Sequence, residues 1–332
     1  MTVGGLAISP EAGQAAVEEA GERPYGQAME HLKHHHGIRL SKRLLEKVTQ
    51  MVGEFWLQGD DREAEVGLRD KIIPLAVSGL APECCCVFAD GTMVHTDGDW
   101  HEARVGTVCS TSGERKRKSS IVRFADVDRF GAGLWRKACQ YGYQEASLRG
   151  FISDGSHWIR GIAELHFPDA VHILDWYHLA ENLSKCANEV FGEGTKESQQ
   201  WAGRMRKIMR EGKVDRALKE VEKLRVRSKT KRRAKHELIT YLTNNQDRVD
   251  YPRYRRLGLP IGSGEVEADC KVLVQARCKQ SGMRWSKRGA EQVLRVRCAL
   301  KDGSFHALWE HQTQSMAAWR KRRARHERRK AA

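Results

Sequence analysis

The apolar positions of this chain change period along its length. In "YGQAMEHLKHHHGIRLSKRLLEKVTQMVGEFWLQ", Met29 and Leu32 precede Gly37, and Leu44, Leu45, Val48, Met51, Val52 and Phe55 follow it at three- and four-residue steps. That spacing predicts helix, glycine turn, helix, with Ser41 capping the second helix. From residue 84 the pattern turns β-like: "CCCVFADG" is continuously apolar, "HEARVGTVCS" alternates, and "SSIVRFAD" is a third short run. The charged "GERKRKSS" between the second and third is expected to be a hairpin loop. Residues 127–144 fit a helix around Phe130, Leu134, Trp135 and Ala138, "LRGFISDG" a fourth strand, "SHWIRGIAELHF" a helix and "AVHIL" a fifth strand. Residues 178–248 read as helical throughout, "RLGLPIGSG" breaks that pattern, and a last helix starts near Glu265.

Strand, strand, strand, helix, strand, helix, strand is the order of a ribonuclease-H-like α/β domain. The expected organisation is a disordered Gly-, Ala- and Glu-rich arm over 1–24, then a helical region over 25–80. Lys42, Arg43 and Lys47 make that region compatible with a DNA-gripping helix-turn-helix or with an ordinary basic hairpin. The core would occupy 81–178, be interrupted by an all-helical insertion over 179–258, and be completed by a C-terminal helical region over 259–312. A basic tail over 313–332 ends the chain.

Charge adds a partner to this picture. Lys and Arg number 58 against 43 Asp and Glu, a net +15, which favours a polyanion such as nucleic acid. Arg204, Arg206 and Lys207 begin a basic helical stretch that runs to about residue 235, and with Arg320 to Lys330 of the tail it is expected to track phosphates. No run of about 18 uncharged apolar residues and no signal-peptide core occurs, so a soluble, cytosolic protein without membrane contact is expected. The nine cysteines include no C-x-x-C pair, and the Cys84 to Cys86 triplet sits in an apolar run, which argues for reduced, buried thiols. His34, His35 and His36 are adjacent rather than one turn apart, cannot all face one metal from a helix, and read as solvated.

The chemistry-bearing residues are carboxylates. Asp90, Asp154 and Asp175 each follow an apolar strand run, at the edge where open α/β sheets place their ligands. Clustered charge there asks for a cation, and two Mg²⁺ or Mn²⁺ ions fit oxygen ligands and phosphodiester chemistry. Asp90 and Asp154 each precede glycine, which an Asp-Gly turn would also explain. Asp175 opens Asp175-x-x-His178 and is equally placed to cap the next helix. A further carboxylate is expected after "PIGSG", where Glu265, Glu267 and Asp269 compete. Glu265 sits in the first turn, where the helix dipole alone favours it, whereas Glu267 flanks the stripe of Val266, Cys270 and Leu273; Glu267 is our choice.

At these residues the chain resembles a DDE transposase of the ISKra-type bacterial insertion-sequence family, a relative of the Mutator group. The likeness covers roughly residues 38–310, through "DGTMVHTDGDWHEARVGTV", "DGSHWIRGIAELHFPDAVHILDWYHLAENL" and "PIGSGEVEADCKVLVQARCKQSGMRWSKRGAEQVLRVR". It implies an acidic triad of Asp90, Asp154 and Glu267 holding two Mg²⁺ or Mn²⁺ ions, with Asp175 in place of the cysteine of a Cys-x-x-His signature; His178 is placed either to bond a backbone group or to approach the scissile phosphate. It also implies cleavage and strand transfer on transposon ends and target DNA, a homo-oligomer in the synaptic complex, and a place at the nucleoid in the bacterial cytosol. Arg284 and Trp285 in "SGMRWS" match the family and are placed to clamp and stack DNA, Trp285 being equally suited to a structural place in the core of the C-terminal segment. The family's cysteine-rich N-terminal segment has no counterpart here.

Overall fold

The computed structural model of the protein describes residues 2–3, 6–70 and 81–314. Its centre is a five-stranded mixed sheet built from β1 (Cys84–Thr96), β2 (Asp99–Ser112), β3 (Arg115–Arg123), β4 (Leu148–Ser153) and β5 (Val171–Leu174), in the order β3-β2-β1-β4-β5. The first three strands form antiparallel hairpins, and β1, β4 and β5 run parallel. Two expectations change here. β1 does not end at Asp90 but continues to Thr96, because only its parallel pairing stops, at Ala89↔Ser153, while the antiparallel ladder to β2 runs on. The basic cluster Arg115 to Lys118 is not loop but the start of β3, the turn being confined to Gly113 and Glu114.

Side-chain alternation splits the core into two faces. Cys85, Val87, Ala89 and Phe151 pack under α4 (Val127–Gln140) and α5 (His157–His166). Cys86, Phe88, Ile152 and Ile173 pack against a helical layer. That layer comprises α6 (Trp176–Phe191), α7 (Lys196–Arg210), α8 (Val214–Glu222), α9 (Lys229–Asn244), α10 (Tyr251–Arg256) and α11 (Gly264–Asp269). Residues 179–258 hold no strand, as their pattern predicts. α11 runs through a π-helical turn (Cys270–Gln275) into α12 (Ala276–Cys278), and α13 (Lys287–Lys301) follows.

The N-terminal region is the main departure from expectation. Residues 10–22 are not a loose arm but helix α1 (Pro10–Glu22), capped by Ser9, with Ala16, Val17 and Ala20 buried against α13 and α3 (Lys42–Asp70). Its last carbonyls are taken up by buried arginines: Arg277 donates to Ala20, and Arg297 to Gly21 and Glu22. Composition missed this because small residues form the packed face, and their partners lie on other helices, from α2 and α3 nearby to α13 far along the chain. α2 (Tyr25–His36) ends at Gly37 with φ 65°, and Ser41 accepts from the Leu44 amide, so helix, glycine turn, helix is observed. Lys42, Arg43 and Lys47 are exposed, as are Met51 and Phe55 at the edge of the expected apolar stripe. Gly53 is where α3 meets α13: a Cβ there would lie 2.1 Å from the Gln292 carbonyl oxygen.

Candidate functional site

The parallel register sets the site. Ala89, Ser153 and Leu174 form the last row of paired residues across β1, β4 and β5, so Asp90, Asp154 and Asp175 occupy the next row at one edge of the sheet. Asp90 shares the parity of Cys86 and Phe88 and faces the α11 side, where the Cys270 Sγ lies 3.6 Å from its Oδ2; its Oδ1 accepts from the Gly91 amide at 2.7 Å. Burial pushes the Asp90 carboxyl above the usual carboxylate range, with the charge of Asp154 adding to the shift. Asp154 is fixed by Ser156, whose amide and hydroxyl donate to its two oxygens at 2.9 and 2.8 Å.

Asp175 is fully buried and works as a joint. Its Oδ1 accepts from the His178 amide at 2.7 Å, capping α6, and its Oδ2 accepts from the Ser263 amide, tying β5 to the start of α11. The Trp176 amide donates to the Ile261 carbonyl at 2.8 Å alongside. A Cβ at Gly262 would fall 2.6 Å from the exposed Tyr177 ring, which would have to turn aside. Burial acts to raise the Asp175 carboxyl, but the hydrogen bonds from His178 and Ser263 prevail and hold it below the usual range. The His178 Nδ1 lies 3.3 Å from Asp175 Oδ1. The Asp175 carboxylate beside it lifts the imidazole to about 9 against burial, with further help from Asp154 and Asp90.

The three acids of α11 diverge. Glu265 pairs with Lys116 and Lys118 of β3, and Asp269 is taken up by Lys118, Thr107 and Ser120. Glu267 points the other way. The Ser263 hydroxyl donates to its Oε1 at 2.9 Å, and Glu267, Asp175 and His178 each offer a ligand atom within 4.8 Å of the others. At the sheet edge Glu267 converges with Asp175 and His178, whereas the expected triad of Asp90, Asp154 and Glu267 does not come within 4.8 Å as a group among the described residues; Glu265 and Asp269 lie in a separate ion network. Sequence reasoning missed Ser156 and Ser263. Their signals, a serine two residues after Asp154 and another four residues before Glu267, have meaning only once the carboxylates are known to need holding.

The expected DNA-contact residues are less uniform. Arg204 and Lys207 are exposed on α7, whereas Arg206 turns inward and donates to Ser184 at 3.0 Å. Arg284 is exposed. Trp285 takes the structural place that is its other reading: its half-buried ring packs against the Arg277 guanidinium at 4.8 Å and near Tyr25, and its backbone carbonyl accepts from the Asp97 amide beside a bridge to Thr96. The tail residues 315–332, with Arg320 to Lys330, lie outside the described residues. The cysteines are all free thiols and, apart from the half-buried Cys84, all buried. No described helix is long and apolar enough to cross a membrane.

The fold and the site define a mixed α/β protein with a carboxylate and histidine cluster at the carboxyl edge of its parallel strands. The chain belongs to the uncharacterised protein family UPF0236, whose model matches residues 128–314. The match spans Asp154, Asp175, His178 and Glu267 and begins after Asp90. No curated protein matches the chain.

Proposed function

We propose that the protein is a DDE transposase: a ribonuclease-H-like enzyme, interrupted by an all-helical insertion, that cleaves DNA at the ends of an insertion sequence and joins the freed 3′-hydroxyl to target DNA. The observation that carries this reading is the common row of Asp90 and Asp154, one residue beyond the last parallel pair, with Asp175 in the same row beside His178 and Glu267. The sheet order and the antiparallel-then-parallel pairing agree with that fold. The residues also fit a hard divalent cation. The Asp90 carboxyl is raised by burial and by its acidic neighbour, and among the described residues no lysine or arginine ion pair reaches Asp90, Asp154 or Glu267.

Asp90, Asp154 and Glu267 would hold Mg²⁺ or Mn²⁺, which when bound supplies an activated water or hydroxyl and stabilises the leaving oxygen of a phosphodiester. The protein's own groups do the rest. Ser156 and Ser263 fix the carboxylates, Asp175 orients His178, and the imidazolium faces the phosphate as a fixed positive charge. Exposed Arg204, Lys207 and Arg284 are available for the DNA backbone, and a homo-oligomer would bring two ends together.

The test is cleavage and joining by the purified full chain, with Mg²⁺, on DNA carrying both ends of the element that encodes it. Nicking at the ends followed by joining is expected. Binding without cleavage would mark a remnant that keeps only DNA affinity, and cutting of an RNA strand in preference to those ends would mark a ribonuclease-H-like nuclease.

A further inference from the structure

Away from the sheet, one cluster on the N-terminal helices is built like a metal site that the phosphodiester chemistry does not use. Glu19 of α1 and His31 and His36 of α2 each present a ligand atom, all within 4.8 Å of one another. The His31 Nδ1 lies 3.0 Å and the His36 Nε2 3.9 Å from the same Glu19 oxygen, Oε1. Ligand atoms about 2.0–2.1 Å from a tetrahedral zinc stand roughly 3.3 Å apart, so these separations bracket the required value. The second Glu19 oxygen is engaged by Arg23, which orients the carboxylate and leaves Oε1 for an ion. Apart from that oxygen, the His31 Nδ1 is buried with no hydrogen-bond partner. The His35 ring lies against His31, centroids 4.1 Å apart and tilted by 32°, and limits its rotation.

We infer that Glu19, His31 and His36 form a zinc site that clamps α2 onto α1, with water completing the coordination. Two imidazoles and one carboxylate suit a borderline-soft ion such as Zn²⁺ and are a poor match for Mg²⁺, so this site and the sheet-edge carboxylates take different ions. His34 takes no part: it is exposed, and its Nε2 lies near Glu30. The convergence is not one of adjacent histidines on a single helix face. It joins His31 to His36, the last residue of α2 before the Gly37 turn, and borrows its third ligand from α1.

Zinc titration of the full chain, with millimolar Mg²⁺ present to occupy the carboxylates, tests this. One Zn²⁺ equivalent is expected for the wild type, with a higher Tm on binding. His36→Gln and His31→Gln should each weaken that equivalent at least tenfold and abolish the Tm rise, while His34→Gln and Asp154→Asn leave both unchanged. Co²⁺ in place of Zn²⁺ should give the visible absorption of a tetrahedral ion in the wild type and lose it in His36→Gln. His36 is exposed, so its variant keeps the test valid even if His31→Gln folds poorly. Wild-type zinc affinity in His36→Gln, or loss of the equivalent in Asp154→Asn, would overturn the assignment.

Discussion

Two neighbouring aspartates that look alike in sequence are held in different ways. Asp154 is gripped by one serine at the lip of the sheet, whereas Asp175 spends both oxygens on backbone amides and sits beside the His178 ring. Asp90→Asn, Asp154→Asn and Glu267→Gln should each cut metal-dependent cleavage by at least ~10²-fold with DNA binding nearly intact, since each removes a ligand charge and almost no volume. Asp175→Asn and His178→Ala should cost about 10–100-fold and barely change Mn²⁺ affinity, the signature of groups that orient others. Loss of a bound Mn²⁺ in Asp175→Asn but not in Asp154→Asn would exchange the two roles. A pH test follows from the raised imidazole. Its folded value of about 9 exceeds the ordinary one, so the charged ring stabilises the fold fully below the ordinary histidine range, and that contribution is lost as pH rises through about 9. In metal-free buffer, His178→Gln should therefore unfold at lower urea than the wild type near pH ~6, and the two should converge above pH ~9.

Among the elements, α11 and α1 make the clearest statements. One turn of α11 sends Glu267 to the sheet edge and Glu265 to Lys116 and Lys118 on β3, because residues two apart on a helix face different ways. Glu265→Gln should consequently leave cleavage near wild type and lower stability by under ~1 kcal/mol, as expected of a partly exposed ion pair; a dead Glu265→Gln beside an active Glu267→Gln would reverse the assignment. Removing residues 1–22 should lower the urea midpoint markedly, since it strips the carbonyl partners from buried Arg277 and Arg297. An unchanged midpoint would return the segment to the status of an arm. At the crossing of α3 and α13, Gly53→Ala should cost about 1–3 kcal/mol, because the added methyl meets a backbone carbonyl that cannot step aside.

For the whole molecule, the net +15 charge is not spread evenly in its use. Many basic groups are committed internally: Arg136 and Arg295 converge on Asp60, Arg123 on Asp61, and Arg206 on Ser184. On α7, Lys196, Arg204, Lys207 and Arg210 point outward, and Arg204 and Lys207 are the two chosen for test. Replacing both with glutamine should weaken binding to all duplexes alike and flatten the plot of log affinity against log salt by about 0.9 per lost contact. Arg206→Gln should change that slope little and instead loosen the packing of α6 on α7.

The sequence by itself determined the strand and helix order of the core, the all-helical stretch that interrupts it, and the aspartates that follow the parallel strands. These are local matters of period, turn chemistry and burial, so they are written in short windows. Tertiary structure alone decided that Asp90 lies in mid-strand at the point where a parallel neighbour stops, and that the half-buried Trp285 packs on Arg277. It also decided that α1 is a packed helix, and that Glu19, His31 and His36 meet. Each of these depends on pairings between segments distant in the chain or on different helices, and no periodicity within one segment records which face its partner will cover.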